Sequence, residues 1–264
     1  MAFQKQVPSY ELIFQRQKTR DFCLVIPVIN EGERIISLLK KINKNNVQSM
    51  VDILIVDGGS TDGSLEIEKL KHFDLHYLIQ KTGPGKLSAQ LRCAYDFALD
   101  LGYEGVITID GNDKDDPEAI PYFISKLEEG YDFVQASRFV TGGKAINTPK
   151  SRDLAIRFIH APLLSFSSGF HWTDTTQGFR AYSRRLLLDH GINIFRDIFN
   201  GYELLAYLSY IAPIKGFKCI EIPTTRSYPK GEVPSKISSF RGNLEVLTVL
   251  FKTVLGCYNE KNKK

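Results

Sequence analysis

Residues 22–57 read FCLVIPVINEGERIISLLKKINKNNVQSMVDILIVD, and this stretch decides the fold. Positions 22–26 form a short apolar run that ends at Pro27. From 31 to 43 the apolar residues Ile35, Ile36, Leu38, Leu39 and Ile42 recur at helical spacing. Positions 53–56 are a second, β-branched run, stopped by Asp57-Gly58-Gly59. Strand, helix and strand in succession make a βαβ unit, whose crossover requires parallel strands. The alternation continues with a helix over 62–70, a strand over 75–79, a helix over 87–101, a strand over 106–109, a helix around 120–127 and a strand over 133–136. Repeated βα units with such apolar strands predict an α/β domain: a Rossmann-like, mostly parallel sheet with helices on both faces.

Beyond residue 140 the alternation fades. Gly142-Gly143 breaks the chain. Residues 151–167 are amphipathic, with Arg152, Arg157 and His160 among Leu154, Ile156, Phe158, Ile159, Leu163 and Leu164. An apolar, aromatic stretch spans 202–212, a late strand is expected over 219–222, and a final helix over 238–255 precedes a basic tail. The expected division is an N-terminal extension (1–20), one domain (21–240), and a C-terminal helix with its tail (241–264).

Composition narrows the classes. The chain has 264 residues with a net charge of only +4, which makes no case for nucleic acid. Cys23, Cys93, Cys219 and Cys257 are scattered and form no CxxC pair, so a zinc site is not expected. The first twenty residues lack the apolar core of a signal peptide. No segment offers the run of about 20 apolar residues that crosses a bilayer. A cytoplasmic setting is the expectation.

Ligands of open parallel sheets bind at the carboxyl ends of the strands. Residues 105–117, GVITIDGNDKDDP, place Asp110, Asp113, Asp115 and Asp116 just past a buried strand. Clustered carboxylates repel one another unless a cation joins them. Asp116 before Pro117 reads as a helix cap, whereas Asp110 at the strand end is not explained that way. After the first strand, Pro27 and Glu31 fall on the same edge. After the second, Asp57 is placed to accept a charge-assisted bond from a ribose or base, and Asp62 reads as a cap. Residues 82–88, TGPGKLS, lack the spacing of a Walker A loop, since Gln80 stands where its first glycine belongs. A glycine-rich turn into a helix can still receive a phosphate, with Lys86 as a point charge. Arg138 after the fifth strand suits either a phosphate or a surface salt bridge.

As a set, VIPVINE (25–31), VDGGSTDGS (56–64), GKLSAQLRCAYDFA (85–98), TIDGND (108–113), ASRFVTGG (136–143), DTTQGFRAYSR (174–184) and GEVPSK (231–236) resemble the motifs of family 2 glycosyltransferases of the GT-A fold. The likeness is nearest to dolichyl- or polyprenyl-phosphate sugar synthases, and it runs from about residue 21 to 240. The resemblance implies a cleft for a nucleoside-diphosphate sugar. Pro27, Ile29, Glu31 and Val56 would line the base and ribose pocket. Asp110, Gly111 and Asn112 would stand at the DxD positions, with Asp110 and Asn112 holding Mg²⁺ or Mn²⁺ against the diphosphate. Arg138 would contact phosphate, and Lys236, with Arg226 or Lys230 nearby, would close over the phosphates.

Three positions depart from the family pattern. Gly58 stands where an Asp is usual, Asn112 replaces the second DxD carboxylate, and Lys114 takes a position often occupied by Gln. Asp113 is an expected substitute ligand. The acceptor is expected to be a polyprenyl phosphate or an envelope glycan. A phosphate acceptor needs no general base; a hydroxyl acceptor needs one, with Asp174 and Glu203 as candidates that also have capping readings. A non-catalytic nucleotide-binding domain is the alternative of another class. The basic and apolar faces of 151–167 and 238–255 suit either core packing or contact with a membrane surface.

Overall fold

The computed structural model describes residues 5–230 and 240–260. Strand β1 (Tyr10–Gln15) is followed by β2 (Phe22–Val28), α1 (Glu33–Lys44), β3 (Asp52–Asp57), α2 (Ile67–Leu70), β4 (Leu75–Lys81), α3 (Leu87–Asp100) and β5 (Gly105–Thr108). Then come α4 (Ile120–Glu128), β6 (Phe133–Ser137), β7 (Lys144–Ile146) and α5 (Lys150–Ala155). A π-helical turn (Ile156–His160) joins α5 to α6 (Ala161–Ser168). The chain continues through β8 (Arg180–Ser183), α7 (Arg184–Leu187), α8 (Glu203–Ile214), β9 (Cys219–Pro223), β10 (Thr225–Ser227) and α9 (Phe240–Val254).

Eight strands form one sheet in the order β1-β4-β3-β2-β5-β8-β6-β9. The β4-β3-β2-β5 pairings within it are parallel, as the βα alternation predicts. β8 runs antiparallel between β5 and β6, and β1 antiparallel on β4. A separate two-stranded piece pairs β7 with β10. Neither β1, β7, β8 nor β10 was expected from periodicity, and α2 is one turn where a longer helix was expected.

The period of two sorts the central strands between two cores. Cys23, Val25, Leu54 and Val56 face the α3 and α8 side with Leu91, Tyr95, Leu204 and Leu208. Leu24, Ile26, Val28, Ile53 and Ile55 face the α1 and α4 side with Ile35, Leu38, Leu39, Phe123 and Ile124. Each such fully buried side chain contributes on the order of 2 kcal/mol. This packing fixes the strand ends to which the candidate residues are attached.

Candidate functional site

The loops after β2 and β3 are bound to each other. Asn30 donates its N–H to Ser60 Oγ (3.0 Å), and its Oδ1 accepts the N–H of Thr61 (2.8 Å). Asp62 Oδ2 accepts the N–H of Gly32 (2.8 Å), while Oδ1 accepts the Ser64 hydroxyl (2.7 Å). Asp62 therefore ties two loops together; it does not cap α2, whose N-cap is Glu66. Asp57 accepts from Ser60 N (2.9 Å), Ser60 Oγ (2.7 Å) and Gln80 Nε2 (3.1 Å). Gln90 of α3 donates to the carbonyls of Val28 (2.8 Å) and Val56 (2.6 Å), across the ends of β2 and β3. A Cβ at Gly58 would stand 3.2 Å from the Gln90 carboxamide, so this contact occupies the space of the usual acidic side chain. Pro27 and Val56 are buried, Ile29 is exposed, and Glu31 pairs with Arg34 at 2.8 Å.

The acidic loop after β5 crosses directly over the end of β2. A Cβ on Gly111 would meet Val28 Cγ2 at 2.9 Å, and one on Gly178 would meet Asp110 Oδ1 at 2.2 Å. Glycine at both positions lets the loop bring Asp110 against the segment that leads into β8.

The loop then pairs with β10. Asp116 N donates to Thr225 O (3.2 Å) and Ser227 N to Lys114 O (2.8 Å), an antiparallel bridge that centres Asp115 on Arg226. The Arg226 guanidinium donates from Nη2 to Asp110 Oδ2 (3.2 Å) and from Nη1 to Asp115 Oδ2. Burial pushes the Asp115 carboxyl above the usual carboxylate range, against the pull of Arg226. Burial opposes the charge on Arg226, yet Asp115 and Asp110 hold its pKa well above the ordinary value.

Tyr228 collects the remaining cations of this corner. Lys114 Nζ lies 5.0 Å from its ring centroid, and the Arg226 and Arg152 guanidinium carbons each lie 5.8 Å away. Arg152 Nη1 also donates to its hydroxyl at 3.0 Å. Burial alone would raise the phenol, but Arg226 and Arg152 bring it down to about 8. Burial and the nearby Arg226 lower Lys114.

Arg138 is not the exposed ligand that its strand-end position suggested. Its side chain is 1% exposed and forks onto Asp174, Nε to Oδ2 (2.7 Å) and Nη2 to Oδ1 (2.9 Å). Nη1 is buried with no hydrogen-bond partner among the described residues. Asp174 also accepts from Gln177 Nε2 (2.6 Å); burial would raise its carboxyl, but Arg138 holds it below the usual range. A carboxylate buried and ion-paired in this way is a poor general base. Glu203, the other candidate, accepts the N–H of Gly201 two residues before it.

Lys86 also differs from expectation. Its Nζ pairs with Glu245 of α9 (3.2 Å), and the N–H groups of Lys86 and Ser88 donate to the carbonyls of Asn200 (2.7 Å) and Gly201 (2.8 Å). Two N–H groups at the start of α3 are thus bonded within the chain. Asn112 Oδ1 accepts the N–H of Lys114 (3.2 Å). Asp113 turns to α1, accepting from Ser37 Oγ (2.7 Å) and Lys41 Nζ (2.8 Å), and is no substitute ligand. Asp116 caps the following turn through Glu118 N (3.1 Å), as expected. Lys236 and the 231–236 motif lie outside the described residues. The sequence reading missed the Asp115–Arg226 pair and Tyr228. A buried aspartate in the quartet was the available signal, but its partner lies 111 residues away.

Known proteins match this architecture. The profile described as glycosyl transferase family 2 matches residues 23–191. The chain is 28% identical over 210 residues to the polyprenol monophosphomannose synthase of Mycolicibacterium smegmatis, covering 78% of this chain and 77% of that protein. It is 27% identical over 204 residues to the undecaprenyl-phosphate mannosyltransferase of Micrococcus luteus, covering 76% and 81%. Among solved structures, glucosyl-3-phosphoglycerate synthase from Mycobacterium tuberculosis, in complex with Mn²⁺ and UDP-glucose, superposes with a TM-score of 0.62 at 16% identity, over 92% of this chain and 81% of that one. That likeness establishes a shared fold, the GT-A arrangement expected from the motifs.

Proposed function

Because the chain belongs to glycosyl transferase family 2, we propose that it moves a sugar from a nucleoside-diphosphate donor to a polyprenyl phosphate. The observation that carries this reading is the charged corner at the carboxyl edge of the sheet, where Arg226 bonds Asp110 and Asp115 and Lys114 lies over Tyr228, beside the stitched loops that carry Asp57. In this reading residues 21–240 form the catalytic domain. Asp57, Pro27, Ile29, Glu31 and Val56 hold the base and ribose, and Asp110 and Gly111 seat the donor against Arg226.

The chemistry follows from charge. As the bond between the sugar's anomeric carbon and the diphosphate oxygen breaks, its electron pair stays on the leaving nucleoside diphosphate. Preorganised cations in a water-poor cleft stabilise that charge. An acceptor phosphate oxygen attacks the opposite face and inverts the centre. It is already an anion, so no proton has to be removed. Support for this acceptor over a sugar hydroxyl comes from the engagement of both candidate bases, Asp174 by Arg138 and Glu203 by Gly201.

The chain's own donors do not make the Mg²⁺ or Mn²⁺ site that the resemblance implied. Asp110 already shares its carboxylate with Arg226, Asn112 is turned onto the N–H of Lys114, and the third position is an ammonium. Among the described residues no three His, Cys, Asp or Glu side chains gather as a metal-holding group. Hard divalent cations want oxygen donors, and a like charge at 4 Å opposes them by about 4 kcal/mol per unit charge at a partly screened site.

A lipid acceptor requires approach to a membrane. Phe158 and Phe166 are 72% and 93% exposed, with Leu154 and Ile159 also outward and Arg157 beside them. No helix among the described residues is long and apolar enough to cross a bilayer. We read the α5–α6 face as resting on the cytoplasmic leaflet, apolar side chains in the interface and cations toward the headgroups.

The test is direct. The full chain is incubated with radiolabelled nucleotide sugars and polyprenyl phosphate in vesicles, with a glycan acceptor in parallel. Label partitioning into the organic phase is the expected result. Transfer only to the glycan supports the hydroxyl-acceptor alternative, and no transfer from any donor supports a non-catalytic binding domain.

A further inference from the structure

The corner around Arg226 carries more than a missing metal site. Arg226 does not reach the acidic loop from a free side chain. Two backbone hydrogen bonds, Asp116 N to Thr225 O and Ser227 N to Lys114 O, fasten β10 to the loop on either side of it. β10 is in turn paired in register with β7, Arg226 opposite Ala145. The guanidinium is thereby built into the position between Asp110 and Asp115 where a cation would bridge two carboxylates. Lys114, from the acidic loop itself, adds an ammonium on the same side, over Tyr228. Arg138 brings a buried Nη1 donor with no partner among the described residues, although its other two nitrogens are saturated by Asp174 and Thr176. Among the described residues, Arg226, Lys114, Arg138 and Arg152 interact with Tyr228 or with one another here, beside the carboxylates Asp110, Asp115, Asp174 and Glu221.

We propose that Arg226 and Lys114 take the place of a divalent metal in this cleft, so that the chain binds the diphosphate of its donor without one. The proposal rests on the nucleotide-sugar reading above. It differs from it in the agent that meets the diphosphate charge: a guanidinium fixed by backbone pairing, with the ammonium at the third motif position, in place of an exchangeable ion. Arg226 remains bonded to Asp110 and Asp115, and Lys114 brings the second positive charge, so that together they balance the two carboxylates as a divalent ion would. Lys114, buried over Tyr228, supplies an ammonium with three donors. The neutral Asn112 belongs to the same arrangement. A second carboxylate there would bring back the charge that attracts a metal and would oppose the diphosphate.

The experiment is calorimetric titration of the full chain with nucleoside diphosphates (UDP, GDP and their sugar conjugates), once with EDTA and once with excess Mg²⁺ or Mn²⁺. For the nucleotide that binds, affinity is expected to differ by less than about threefold between the two conditions. Lys114→Gln is expected to weaken binding in EDTA by roughly tenfold. Asn112→Asp combined with Lys114→Gln is expected to make binding depend on Mn²⁺, with the ion's paramagnetic resonance signal lost on addition of nucleotide. Binding by the unaltered chain that vanishes in EDTA and returns with metal overturns this proposal and leaves the transferase reading standing. Unchanged affinity of Lys114→Gln in EDTA overturns the role given to the ammonium. Absence of binding under either condition overturns both the proposal and the transferase reading.

Discussion

The loops after β2 and β3 lie on the same sheet edge as those after β5 and β6, yet different forces hold them. In the first pair, neighbours hydrogen-bond at modest depth: Asp57 to Ser60, Asn30 to Thr61, Asp62 to Gly32. In the second, ion pairs span long stretches of chain and are almost fully buried: Asp174 with Arg138, Asp115 with Arg226. Hydrogen bonds between such neighbours are each worth about 1 kcal/mol, so a recognition loop built from them tolerates change. Buried charges are different. Removing one partner leaves the other uncompensated in a poor solvent, so stability and ligand charge are set by the same atoms.

The contrast is broken most severely at Asp174. Asp174→Ala strands the Arg138 guanidinium, with an expected loss of about 3–5 kcal/mol. The midpoint of urea unfolding measures it, and a loss below about 1 kcal/mol would show that the pair is not desolvated as its burial implies. A control lies outside both regions. Phe158→Ser with Phe166→Ser should leave unfolding within about 0.5 kcal/mol, because both rings are exposed. Sedimentation with anionic vesicles should nevertheless fall roughly thirtyfold, about 2 kcal/mol of lost interfacial burial.

Asp57→Asn probes the gentler region. The carboxamide keeps an oxygen for Ser60 and sets an NH₂ opposite Gln80, whose own carboxamide can turn to accept it, so the expected stability change is within about 1 kcal/mol. Nucleotide affinity should fall by roughly tenfold, the loss of a charge-assisted bond to base or ribose. An equal fall in stability and in affinity would erase the distinction between the two regions.

The same contrast explains what was legible in the sequence. The first region is made of βα units whose periodicity is local, so β2, β3, β4, β5 and the helices α1 and α3 could be read to within a few residues. Asp57 and Asp110 stand out in the sequence because each ends a strand. The second region depends on partners far apart in the chain. β8 is four residues, RAYS, held between β5 and β6, and β7 and β10 are three residues each, too short for a period to show. Arg138 reads from the sequence as either a phosphate ligand or a salt-bridge partner, and the resemblance favours phosphate; the fold gives it a partner, Asp174, 36 residues on. Lys86 looked available for the same reason, and Glu245 engages it from 159 residues away. Long-range pairing is decided by the fold, and no local pattern announces it.

Tyr228 gives the smallest and most selective test of the charged region. Burial would raise its phenol above the usual value near 10, but the Arg226 and Arg152 charges lower it to about 8. The folded value is therefore below the unfolded one. Between about pH 8 and 10 the native state releases a proton that the unfolded chain keeps, so this group's contribution to stability grows with pH over that window. It is fully present above about pH 10 and is lost as pH falls through 8. Tyr228→Phe removes it, together with the hydrogen bond from Arg152, at an expected cost of about 1 kcal/mol at neutral pH. Difference absorbance near 295 nm, where phenolate absorbs, should show one tyrosine titrating near pH 8 in the native chain and none there in Tyr228→Phe. If that signal is absent from the unaltered chain, the cations around the ring are neutralised by other groups, and the two regions of the cleft are closer in character than their geometry implies.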